Sequence, residues 1–155
     1  MLNTLANTIK SINSAPKALA HCDGPCGVYD PASARIAAEA ALSMTKKILD
    51  LAPPTDGKDT TGYSNTISRY ITIKEEQAHI AKEELLVLWT DYFKPPHLEQ
   101  YPDLHTTFWK AAKLCSSVKV EVNLEHATEL MNAIKEIHEI FWATKGRDVT
   151  WYTAS

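Results

Sequence analysis

The chain has no run of eighteen or more apolar residues, so no membrane-crossing helix is expected and a soluble protein is. It has no basic surplus either. Its 16 Lys and Arg against 19 Asp and Glu leave a formal net charge of -3, which is not the balance of a nucleic-acid binder. The 3 cysteines are too few, and odd in number, for a disulfide framework. Cys115, alone in KAAKLCSSVKV, reads as a small buried hydrophobe. Nowhere does an alternating apolar and polar pattern mark a strand. With 155 residues the chain can bury one core and is too short for two comfortable domains.

What is present is helical. Residues 1–20 carry Lys10 and Lys17, no acid, and Leu2, Leu5, Ala6, Ile9 and Ile12 at weakly helical spacing. They lack the continuous apolar core of a secretory signal, which favours the cytoplasm. They end in Ala18-Leu19-Ala20, small residues that suit a cleavage point before His21. Asp30 is a good N-cap and Pro31 suits a first helical position. Ile36, Ala40, Met44 and Ile48 then form an i, i+4 stripe closing near Leu51. Residues 52–66, rich in Pro, Gly, Asp and Thr, read as a long exposed loop. A second helix is expected from Ile67 to Phe93, with Ile67, Ile71, Ala78, Ala81, Leu85, Leu88 and Tyr92 inward, interrupted at Lys74 and ended by Pro95-Pro96. A third opens at Pro102 and carries Leu104, Phe108, Ala111, Cys115 and Val118; a fourth follows Asn123 and stops at Lys145-Gly146. The expected fold class is therefore all-α: a leader over 1–20, a donor-rich segment over 21–30, a four-helix bundle over 31–146, and a tail over 147–155 in which Trp151 and Tyr152 could pack against a neighbour.

The segment HCDGPCGVYD, residues 21–30, sets a histidine and two cysteines around a Gly-Pro turn. Cleavage before His21 would create an α-amino group. That amine, the Cys22 backbone nitrogen and the Cys22 sulfur can close two fused five-membered chelate rings on one metal, Cys26 can supply a fourth donor, and the His21 imidazole can reach an axial position. Planar nitrogen and thiolate donors suit Ni(II) or Cu(II), whereas zinc prefers a tetrahedron. With the leader attached, the first nitrogen is a peptide nitrogen whose lone pair is delocalised, so cleavage is a chemical requirement of such a site.

The residues His21-Cys22-Asp23-x-Pro25-Cys26-Gly27-x-Tyr29-Asp30, together with Asp91-Tyr92-Phe93-Lys94-Pro95-Pro96-His97, resemble the two recurrent segments of nickel superoxide dismutases, the first being their metal-binding hook. The resemblance runs from His21 to about Lys145. It implies disproportionation of superoxide by cycling one nickel ion per subunit between Ni(II) and Ni(III), in a homo-hexamer of four-helix bundles made from a precursor by a maturation protease. It implies His21, Cys22 and Cys26 as nickel ligands, Pro25 and Gly27 as structural residues of the hook, and Tyr29, Asp23 and Lys94 around the open face. Superoxide is an anion and the chain is net negative, so a local cation such as Lys94 must do the steering. Two positions depart from the family's pattern: Ala37 stands where a glutamate supports the ligating imidazole, with Glu39 the nearest acid, and Gln77 stands where an arginine of the same support is expected. A slightly altered axial bond to His21 is the expected consequence.

Three other readings compete. A nickel or copper delivery protein would use the same hook without turnover. A thiol switch would pair Cys22 with Cys26. A di-iron carboxylate bundle would use Glu76-x-x-His79, but it needs a second Glu-x-x-His, and Glu136 and His138 are only two apart.

Overall fold

The computed structural model describes residues 27–55 and 57–154. The leader and the hook residues up to Cys26 lie outside them. Asp30 opens the folded part as its chemistry suggests: Oδ1 accepts the Ala32 N–H at 2.8 Å, satisfying a donor that the helix start leaves unpaired. Helix α1 spans Ala32–Asp50, α2 Thr60–Val87, α3 Pro95–Gln100, α4 Leu104–Val120 and α5 Leu124–Thr144. Between α2 and α3 the chain makes one wide π-helical turn, Leu88–Tyr92, closed by Phe93 N–H donating to Leu88 O at 3.3 Å. The long helices α1, α2, α4 and α5 each pack against two of the others, α1 and α4 both contacting α2 and α5, which makes a four-helix bundle. No strand occurs among the described residues.

The inner face of α1 differs from the expected stripe. Ile36 is 58% exposed, while Ala34, Ala37, Ala38 and Ala41 are buried. The cause is size: a run of methyl groups lets helices approach closely, and a stripe chosen by the largest apolar residues points elsewhere. Thr45 is buried with them because its hydroxyl donates to the Ala41 carbonyl at 2.9 Å.

Helix α2 also starts earlier than expected, at Thr60 and not at Ile67, leaving residues 51–59 as the loop. Its first turns are exposed, and their polar residues are accommodated within the helix: Ser68 and Thr72 donate back to the Ser64 and Ser68 carbonyls at 2.7 and 2.9 Å. Lys74, expected to interrupt the apolar face, belongs to it. Its side chain is 1% exposed, and its ammonium donates to the carbonyls of Val118, Lys119 and Glu121, the last two at 2.8 and 2.9 Å. A helix leaves its final carbonyls without intrahelical donors, and here a lysine from a neighbouring helix supplies them at the end of α4.

The remaining boundaries follow their signals closely. Helix α4 begins at Leu104, two residues after Pro102. Asn123 Oδ1 accepts the His126 N–H at 3.2 Å, capping α5. The far end of α5 closes in a Schellman motif: Gly146, at φ +64, donates to Ala143 O and Arg147 to Trp142 O, both at 3.0 Å. Leu85, Leu104, Phe108, Leu130, Ile134, Ile137 and Phe141 form the centre of the core. Cys115 is buried among them, and desolvation pushes its thiol up to about 12.

Candidate metal centre

His21, Cys22, Asp23, Pro25 and Cys26 lie outside the described residues. The structure does give the place where the segment that carries them joins the bundle. Gly27 has φ +67, and a Cβ built there meets nothing within 4 Å. The left-handed backbone, not crowding, is what favours glycine at this position. Val28 is exposed, and Tyr29 is half-buried with its ring against that of Tyr92, centroids 5.7 Å apart.

Tyr92 is the hub of the site. Phe93 meets its ring edge-on at 4.9 Å, His97 stacks on it at 5.5 Å and 14°, and Phe141 lies 4.5 Å away. The Thr144 hydroxyl donates its one proton to the Phe141 carbonyl at 2.6 Å, so in the 2.7 Å bond between hydroxyls Tyr92 donates and Thr144 accepts. Lys145, the residue after α5, holds its ammonium 5.1 Å from the Tyr92 centroid and 5.2 Å from that of Phe141, within cation–π reach. Sequence reasoning treated Lys145 only as a helix stop. The available signal was its spacing four residues after Phe141, which puts the two on one helix face.

The double proline of the second segment starts α3, and His97 completes that start. Its Nδ1 accepts the Lys94 backbone N–H at 3.1 Å while its own N–H donates to Lys94 O at 2.8 Å. This is one half of a capping box, with the N3 imidazole serving the N-cap N–H where glutamate is usual and the Lys94 backbone carbonyl taking the His97 backbone N–H, and it places the proton of the neutral ring on Nε2. Lys94 itself is exposed. Neither Lys94 nor Lys145 forms an ion pair among the described residues. One end of the bundle thus gathers Tyr29, Tyr92, His97 and Lys145 through ring contacts, with Lys94 tied to the group by its backbone.

The positions expected to support the imidazole are also resolved. Ala37 is buried, its methyl packed in the core, and Gln77 is half-buried on α2. Glu39 is engaged elsewhere, accepting from Arg35 at 3.1 Å and from the Ala154 backbone N–H at 2.7 Å. Glu76 and His79 are exposed on α2, where His79 lies 3.3 Å from Glu83. Among the described residues no three His, Cys, Asp or Glu side chains converge on a metal-sized point. The donor set that suits Ni(II), an imidazole, two thiolates and backbone nitrogens, is carried by residues 21–26, and its chemistry fits that ion.

Comparison with known proteins agrees with this layout. The family model for nickel-containing superoxide dismutase matches residues 16–145. The nickel superoxide dismutase of Streptomyces seoulensis is 43% identical over 129 residues, covering 83% of this chain and 91% of that protein. That of Streptomyces coelicolor is 41% identical over 133 residues, covering 84% and 94%. A native nickel superoxide dismutase structure superposes with a TM-score of 0.70 at 40% identity, covering 82% of this chain and 100% of that one. A structure of the enzyme after partial reduction by X-rays gives 0.71 at 42% identity with the same coverage. From its helical bundle to the aromatic hub where residues 21–30 join it, the chain belongs to the nickel-containing superoxide dismutase family.

Proposed function

We propose that this chain, once cut before His21, converts two superoxide anions and two protons into dioxygen and hydrogen peroxide at one nickel ion held by the His21 amine and imidazole, the Cys22 amide nitrogen and thiolate, and the Cys26 thiolate. The observation that carries this reading is the seating of Tyr29 on Tyr92, which lands the stem of the hook on the second segment that the family shares. A nickel ion held there would supply one-electron redox chemistry, storing the electron released by one superoxide until the next takes it up with two protons. Anionic thiolate and amidate donors favour its higher oxidation state.

The protein's part is recognition and access. Lys145 holds its ammonium 5.1 Å from the Tyr92 ring, and the exposed Lys94 follows two residues after Tyr92, so a chain whose formal net charge is -3 offers an anion local attraction where the overall field does not. Tyr29 and Tyr92 form a wall beside the end of the hook and limit entry to small species. Asp23 stands next to Cys22 on the hook, placed to hold water or a proton near the open face. On this reading Pro25 and the left-handed Gly27 are the turn residues of the hook. Assembly as a homo-hexamer in the cytoplasm, after removal of the leader by a maturation protease, completes the reading.

The test is one preparation measured three ways: intact mass, nickel content and superoxide decay. Active protein that begins at His21 with one nickel per chain is the expected result. Full activity in protein that still begins at Met1, or that is acetylated on the His21 amine, refutes it. Nickel binding without superoxide decay would instead mark a delivery protein.

A further inference from the structure

Residues 147–154 follow the segment matched by the family model, which ends at residue 145. They do not trail into solvent. After the Schellman turn, the Arg147 guanidinium lies 4.6 Å over the Trp142 ring. His138 Nε2–H donates to the Val149 carbonyl at 2.8 Å, and Trp151 meets the His138 ring edge-on at 5.3 Å. The chain then reaches α1, where the Arg35 guanidinium sits 4.3 Å over the Tyr152 ring and Glu39 accepts the Ala154 N–H at 2.7 Å. Arg35 and Glu39 are themselves ion-paired at 3.1 Å. On the bundle's side the polar groups that hold the tail are buried, with Arg35, Glu39 and His138 at 4%, 7% and 6% exposure, while Arg147 and Tyr152 cover them from outside and stay exposed.

We propose that residues 147–154 form a strap that fixes the position of the hook's root, and that Arg35, Glu39 and Tyr152 are positioning residues for the nickel site. The proposal rests on the reading that the hook holds nickel. Its physical basis is the construction of α1. That helix continues directly from the hook, yet its buried apolar side chains are all alanines: Ala34, Ala37, Ala38 and Ala41. A face of methyl groups packs closely but offers low ridges to interdigitate, so it resists sliding along the helix axis poorly.

The strap supplies what that face lacks. It grips α1 at Arg35 and Glu39, within its first two turns, and grips α5 at His138 and Trp142, toward the end that carries Thr144 and Lys145. Those are the two elements that frame Tyr29 and Tyr92. A helix is stiff, so a shift at Glu39 is carried to Pro31 almost undiminished. A metal claw at the end of that rod is sensitive to shifts of about 1 Å, the scale on which loosely supported sites fail.

The experiment uses processed, nickel-loaded protein in three forms beside the full chain: a truncation with a stop codon replacing Arg147, and the full-length variants Tyr152→Ala and Glu39→Gln. Nickel release to a chelator and the electron paramagnetic resonance of the oxidised metal are read, with far-UV circular dichroism and Tm as controls. Helicity is expected to persist while nickel leaves about tenfold faster, the lower end of what loss of supporting partners costs a metal site, and the resonance broadens. A truncated protein whose Tm falls while its release rate and resonance stay those of the full chain overturns the proposal, because the tail then only adds stability. Should the truncation fail to fold, unchanged nickel release in both point variants overturns it equally. Full-length processed protein that takes up no nickel refutes the functional reading and the strap together.

Discussion

Replacing Lys74 by methionine isolates the buried cation that closes α4. Methionine keeps most of the stem's volume and removes the ammonium, so the loss is of hydrogen bonds more than of packing. The ammonium serves the Val118, Lys119 and Glu121 carbonyls; the first bond is buried and the other two are partly exposed. A charge-assisted bond contributes roughly 1.5–3 kcal/mol, and an orphaned buried carbonyl costs a similar amount. Water can serve the two exposed carbonyls in the variant, and the desolvation of the ammonium is relieved. A net loss of about 2–4 kcal/mol remains, which for a chain of this size lowers Tm by about 5–15 °C. Thermal and urea unfolding of metal-free protein followed by circular dichroism gives the number.

The same residue sets a pH signature. Burial lowers the Lys74 pKa below the ordinary 10.5, desolvation outweighing the attraction of Glu75 and Glu121. Between the lowered folded value and 10.5 the unfolded chain therefore binds more protons than the folded one, and stability rises with pH across that window. Below it, both states carry the charge and the full burial cost is present. The wild type is thus expected to gain on Lys74→Met as pH climbs toward 10.5. An unchanged or higher Tm in Lys74→Met would refute the reasoning, showing that the cation costs as much as it contributes, as some buried charges do.

Charge reversal at Lys145, which holds its ammonium 5.1 Å from the Tyr92 ring, is expected to lower kcat/KM several-fold at low ionic strength and much less at high salt, leaving the nickel resonance unchanged; pulse radiolysis across a salt series reads this, and a loss insensitive to salt excludes steering. Cys115, with its thiol pushed up to about 12 by burial, is expected to stay unmodified when folded protein is treated with an alkylating agent near pH 8 and to react after denaturation. Peptide mass mapping checks it, and labelling of Cys115 in the folded state contradicts the buried environment.

The bundle was legible because its signals are local. Asp30 and Asn123 mark helix starts, Gly146 marks a stop, and Leu104, Phe108, Val118, Ile134 and Phe141 repeat at helical spacing; the structure uses each of them in that way. Legibility failed where tertiary context decides. The alanine face of α1 carries a weaker apolar signal than Ile36, Met44 and Ile48, although close helix packing selects it. Lys74 looks like a break in an apolar face until the end of α4 is placed beside it. The proposed ligand set rests on the sequence motif alone, because chelate-ring sizes follow from covalent connectivity and residues 21–26 lie outside the described residues. Lys145 and the strap were not legible, since both depend on how α5 ends relative to Tyr92 and α1.

The wide turn at Leu88–Tyr92 has a consequence for how the molecule tolerates change. It accommodates one residue beyond the regular repeat, so deleting a single residue there would restore ordinary helical bonding. The repair would also rotate everything downstream by about 100° relative to α2. Tyr92 would swing away from Tyr29, and Phe93 would leave the core it shares with Phe108. At this point in the chain an irregular backbone aims the Tyr92 ring at Tyr29, and a more regular helix would break that contact.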